Sequence, residues 1–68
     1  MEYSYEILPR PAHLGGGWRL RLLEDGVEVG GGVFPPDESF SDNPKDALQA
    51  AFDDAEAEAY AWLDSREA

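Results

Sequence analysis

The sequence predicts an α+β domain with two layers in the order β-β-β-α, a three-stranded antiparallel sheet packed on one C-terminal helix. Three observations predict it. The run from Trp18 to Phe34 reads as a complete β-hairpin around Asp25-Gly26, the pair a type I′ turn wants because both central positions need positive φ. The run from Tyr3 to Leu8 alternates and is rich in aromatic and β-branched residues, which marks a further strand. Beyond Asn43, the residues Leu48, Phe52, Ala55, Ala59, Trp62 and Leu63 recur at three- and four-residue spacing and form one apolar helical stripe. All 68 residues fit one such domain, near the lower size limit for a chain with a single core and no staples.

The first strand ends at Pro9 and Pro11, because proline cannot donate to a sheet ladder. A connection follows, with His13 and Leu14 in its middle and Gly15-Gly16-Gly17 at its exit. The hairpin comes next. With Asp25-Gly26 at the tip, Leu22 pairs with Val29, Leu20 with Gly31 and Trp18 with Val33, and these six residues share the inward face. Arg19, Arg21 and Leu23 share the other face with Glu28, Gly30, Gly32 and Phe34. If Tyr3, Tyr5 and Ile7 join the Trp18 face, then Ser4, Glu6 and Leu8 join the arginines. Glu6 then lies near Arg19 or Arg21, a cross-strand pair of favourable sign.

Pro35 to Asp42 is a turn-rich crossing loop, with Phe40 expected to anchor into the core. Asn43 suits the N-cap of the helix, Pro44 suits its first position, and Asp46 favours the positive end of the helix dipole. The helix is expected from Pro44 to about Asp64, long enough to lie diagonally across the sheet.

Charge is distributed unevenly. The net charge is −10, from 15 acidic and 5 basic residues. Residues 1–36 hold five acids and three arginines, whereas residues 37–68 hold ten acids against Lys45 and Arg66 alone. Phosphate backbones repel such a surface, which argues against nucleic-acid binding. Single-strand binding on the Arg19 and Arg21 face is the form in which it would survive. The absence of cysteine, of a basic and apolar leader and of a membrane-length apolar run predicts a soluble, cytoplasmic protein.

Catalytic, cofactor and metal signals are missing from the sequence. His13 is the only histidine, no nucleophile stands in a recognisable setting, and the loop from Asp37 to Asp46 lacks calcium-loop spacing. Neither glycine triplet precedes a helix or is followed by lysine, as a phosphate loop requires. The expectation is a non-enzymatic protein with no cofactor.

Contact surfaces are the remaining candidates. Gly30, Gly31 and Gly32 interrupt an edge strand, and with Phe34 they form a candidate partner edge for strand addition or dimerisation. Two structural readings stand beside it: Gly31 makes room for Trp18 or Leu20, or a bulge twists the sheet. Leu8, Arg19, Arg21 and Leu23 form a candidate sheet-face contact, with Phe34 again on that face. Asp53, Asp54, Glu56 and Glu58 form a candidate acidic contact on the outer helix face, where solubility is the plainer reading. The leading expectation is a protein-protein interaction module that pairs with itself, as a homodimer, or with another protein.

The Gly16-Gly17-Trp18 entry to a strand, followed by a final helix bearing Ala47-Leu48, Ala51, Ala55 and Trp62-Leu63, resembles the HicB-type antitoxin domain. The resemblance implies a β-β-β-α layout and neutralisation of a small basic RNA-cleaving toxin by binding it. Where that family carries a Pro-acid-Leu-Pro-Gly segment this chain has Glu24-Asp25-Gly26 and the second glycine triplet. No functional residue of the family transfers.

Overall fold

The computed structural model describes every residue except Ser41 and Ala68, and the side chain of Glu67 also lies outside the description. Strands β1 (Tyr3–Pro9), β2 (Trp18–Glu24) and β3 (Val27–Phe34) form an antiparallel sheet in the order β1-β2-β3, and helix α1 (Pro44–Glu67) packs on one of its faces. The predicted α+β architecture is the one observed. The molecule is a thin slab of 42 × 23 × 12 Å. Its radius of gyration is 13.0 Å, above the value of about 11 Å that a compact chain of this length adopts.

Both ends of the hairpin are fixed by residues that accept positive φ. Asp25 (φ 52°) and Gly26 (φ 85°) make the tip. The tip is tied to the start of the chain, with the N–H of Asp25 donating to the Glu2 carbonyl at 2.8 Å and the N–H of Glu2 donating to the Asp25 carboxylate at 2.8 Å. Between β1 and β2 the chain makes a 3₁₀ turn, Ala12–Leu14, held by the Arg10 guanidinium, which donates to the carbonyls of Gly16 and Leu14 at 2.9 and 2.8 Å. Gly17 (φ 82°) then passes so close to β3 that a Cβ there would lie 2.2 Å from the Phe34 carbonyl oxygen.

The pairing of β1 with β2 follows the expected faces: Tyr5 opposes Leu22 and Ile7 opposes Leu20, while Glu6 opposes Arg21 and Leu8 opposes Arg19. The pairing of β2 with β3 departs from expectation after two residues. Glu24 opposes Val27 and Leu23 opposes Glu28, but Leu22 then opposes Gly30 rather than Val29. Val29 is the extra residue of a β-bulge, and everything beyond it shifts by one: Leu20 faces Gly32 and Trp18 faces Phe34. Because side chains alternate, a shift of one exchanges the faces. Phe34 therefore turns inward and packs on the core, whereas Val33, expected inward opposite Trp18, is 54% exposed.

The core is small. Leu20, Leu22 and Leu23 of β2 and Ala47, Ala51, Ala55 and Ala59 of α1 are the buried apolar residues, with Tyr5, Ile7, Phe34 and Trp62 packed partly around Leu20, Leu22 and Ala59. The four alanines recur every fourth residue and let the helix backbone approach the sheet closely. The larger members of the expected stripe, Leu48, Phe52, Trp62 and Leu63, flank this line and are only partly buried. Phe52 meets the Trp18 ring edge-on at 5.1 Å between centroids, and Trp62 meets Tyr3 edge-on at 5.6 Å. The helix start is capped as expected, with the Asn43 side-chain oxygen accepting from the Asp46 N–H at 3.4 Å and the Asn43 amide donating to the Asp46 carboxylate at 3.0 Å. Phe40 does not reach the core. It stays 41% exposed in a 3₁₀ turn, Glu38–Phe40, beside Asp46, Gln49, Ala50 and Asp53 on the outer side of α1.

Candidate interaction surface

The sheet face turned away from α1 carries a ladder of charges built by the strand registers. Glu6 of β1 and Glu28 of β3 flank the two arginines of β2. Arg21 donates to Glu28 at 2.9 Å and to Glu6 at 3.0 Å, while Arg19 donates to the same Glu28 carboxylate at 3.1 Å. Hydrogen bonding to Glu28, joined by the charges of Glu6 and Glu28, raises the Arg21 guanidinium above its ordinary value against a partial desolvation. The four groups cancel, so this face is electrically neutral on a chain of net charge −10.

Beside the ladder runs the free edge of β3. Val27, Val29 and Val33 are 64%, 50% and 54% exposed along it, and Gly30 and Gly31 are exposed between them. Arg19, Leu20, Glu28, Val33 and the three glycines line an open groove of about 220 Å³. The glycines have separate causes. Gly31 has φ 142°, and a Cβ there would fall 2.0 Å from the Leu20 carbonyl oxygen, so it makes room for the backbone of β2 rather than for the side chain of Trp18 or Leu20. Gly30 and Gly32 lie under side chains instead: Leu22 Cδ1 and a Phe34 ring carbon sit 3.6 and 3.8 Å from where their Cβ atoms would be.

Of the residues expected at a sheet-face contact, Arg19, Arg21 and Leu8 are on the outer face and reachable by a partner. Leu23 is only 7% exposed, which removes it from any contact surface of the folded chain. Phe34 belongs to the inner face, so the candidate edge consists of Gly30, Gly31 and Gly32 with the valines, and Phe34 supports it from beneath. The exposed valines were missed as contact residues because the unbulged register turns Val29 and Val33 inward. The competing pull of Phe34 toward Trp18 is the sequence signal for the shifted pairing.

The acidic candidates lie on the opposite side of the molecule. Asp53, Asp54 and Glu58 are exposed, and Glu56 accepts a hydrogen bond from the Tyr60 hydroxyl at 3.2 Å. The Tyr5 and Tyr60 hydroxyls share a hydrogen bond at 3.4 Å, and the two rings meet edge-on at 5.8 Å. This chain was not anticipated, since nothing in the spacing of Tyr5 and Tyr60 brings them together before the helix is docked. Neither the known protein families, nor curated proteins, nor solved structures contain a match to this chain. Among the described residues no group of three or more metal-binding side chains assembles and no helix is long and apolar enough to cross a membrane, and His13 is exposed.

Proposed function

We propose that this chain is a non-enzymatic protein-protein interaction module that binds a second copy of itself through its sheet and not through α1. The division of charge carries the reading. Residues 37–68, which include α1, hold ten acids against two bases, whereas the outer sheet face is neutral through the Glu6, Arg21, Glu28 and Arg19 ladder. Two copies therefore repel most when they approach helix to helix and least when they approach through the sheet. The accessible surface is 4647 Å², against about 4,200 Å² for a folded monomer of this mass. Sedimentation equilibrium up to several hundred micromolar tests the reading: a reversible dimer is expected, and a chain that stays monomeric throughout rejects it.

A second reading, inhibition of a basic partner in the manner of HicB-type antitoxins, has one supporting observation. Asp53, Asp54 and Glu58 project into solvent with no base three or four residues away along the helix. Neutralising them together with Glu56 should abolish capture of such a partner while leaving self-association unchanged.

A further inference from the structure

We propose that the two copies join edge to edge, β3 adding antiparallel to β3 of the second copy over Val29–Val33, with the two-fold axis at Gly31, so that two three-stranded sheets become one sheet of six strands. The inference rests on the self-association proposed above and specifies its geometry. A strand at the edge of a sheet presents unpaired N–H and C=O groups, and proteins that stay monomeric blunt such edges with lysine, proline, inward charge or a covering element. On β3 the blunting is incomplete. The strand contains no lysine or proline, its one charge (Glu28) is engaged by Arg19 and Arg21, and the bulge at Val29 leaves the stretch from Gly30 regular in its pairing. The valines at 29 and 33 are half-exposed apolar side chains on either side of Gly31, placed to meet their counterparts across a two-fold axis.

The other edge is better protected. Strand β1 ends in Pro9, which has no N–H, and the rings of Tyr60 and Trp62 hang over Tyr5 and Tyr3. Face-to-face packing is disfavoured for a separate reason. It would bury the four charges of the ladder, whose desolvation a modest apolar contact does not offset, and Leu23, the apolar side chain of β2 on that face, is already covered. Edge pairing leaves the ladder in water and supplies new backbone hydrogen bonds where none exist.

The test uses the full chain with Val29→Lys and Val33→Lys, singly and together. Both positions are half exposed, so the hairpin tolerates the change, and circular dichroism checks this. Each lysine makes the net charge less negative, which by itself strengthens association; edge pairing instead brings lysines across the two-fold and weakens the dimer by about 10- to 100-fold. Amide hydrogen exchange in the wild-type chain should show protection within Val29–Val33 that grows with protein concentration. A dimer that is undiminished in the lysine variants, with β3 amides whose exchange ignores concentration, overturns edge pairing while preserving self-association. A chain monomeric at every concentration overturns both.

Discussion

The indole N–H of Trp18 donates to the main-chain carbonyl of Leu48 at 2.8 Å, a single bond that pins the first residue of β2 to the first turns of α1. The same ring packs on Phe52 one turn further along. A half-buried indole needs a partner for its N–H, and here the partner belongs to the helix that the ring must also support. Trp18→Phe keeps an aromatic ring against Phe52 and removes the donor, so the expected loss is about 1–2 kcal/mol. Trp18→Ala removes the packing as well and should cost about 3–5 kcal/mol. Urea denaturation of the two variants measures the difference, and equal losses would show that the ring packing contributes nothing beyond the hydrogen bond.

The glycines divide into those the backbone demands and those it tolerates. Gly17→Ala and Gly31→Ala place a Cβ 2.2 and 2.0 Å from a carbonyl oxygen of the neighbouring strand, at positive φ in both cases. Each should destabilise by more than about 2 kcal/mol, since the strain of the left-handed region adds to a clash that backbone cannot relieve. Gly26→Ala suffers only the strain, because nothing lies within 4 Å of its Cβ position, and should cost about 1 kcal/mol. Gly30→Ala meets Leu22 at an ordinary 3.6 Å without positive φ. It should be neutral or stabilising by up to about 1 kcal/mol. Thermal unfolding of the four variants should rank them in that order.

These cases also show which parts of the molecule were legible in the sequence. The Asp25-Gly26 tip could be read because the turn type dictates residue chemistry, and the Glu6–Arg21 pair because alternation from the tip places opposite charges side by side. The Asn43 cap could be read for the same local reason. A bulge was among the readings the glycine triplet offered, and one lies beside it at Val29; alternation could not place it, because alternation carries a register forward unchanged until some side chain has a stronger claim on the core. Phe34 has that claim, and satisfying it exposes Val33. The helix stripe was legible in direction but not in depth. Periodicity marks Phe52 and Trp62 as apolar, yet only packing decides that Ala47 and Ala51 lie at the closest approach while the rings sit beside it.

Glu28 accepts from both Arg19 and Arg21, so it is the shared member of the outer ladder. Glu28→Gln leaves two guanidinium groups adjacent with Glu6 alone to balance them. The expected result is a small fall in melting temperature at low ionic strength that disappears at high salt, because exposed pairs are screened. A fall that persists at high salt would assign Glu28 a packing role in place of an electrostatic one. In the self-association assay the same variant should leave the dimer intact, since the ladder lies outside the proposed strand pairing.

The Tyr60 hydroxyl is pushed up to about 12 from its ordinary value near 10, first by hydrogen bonding with Tyr5 and then by the negative charge of Glu56. The folded state thus holds this proton more tightly than the unfolded chain does. Stability from the contact is complete below the unfolded value, and it is lost as pH rises from about 10 through about 12. Phenolate absorbance should show one of the three tyrosines titrating late, and alkaline unfolding should set in over the same interval. Tyr5→Phe should return Tyr60 most of the way to its ordinary value and Glu56→Gln part of the way, in keeping with the order of causes. Tyr60→Phe should remove the late phase altogether. A late phase that survives in Tyr60→Phe would place the tight proton on Tyr3 or Tyr5 and break the link between this helix-to-strand contact and alkaline stability.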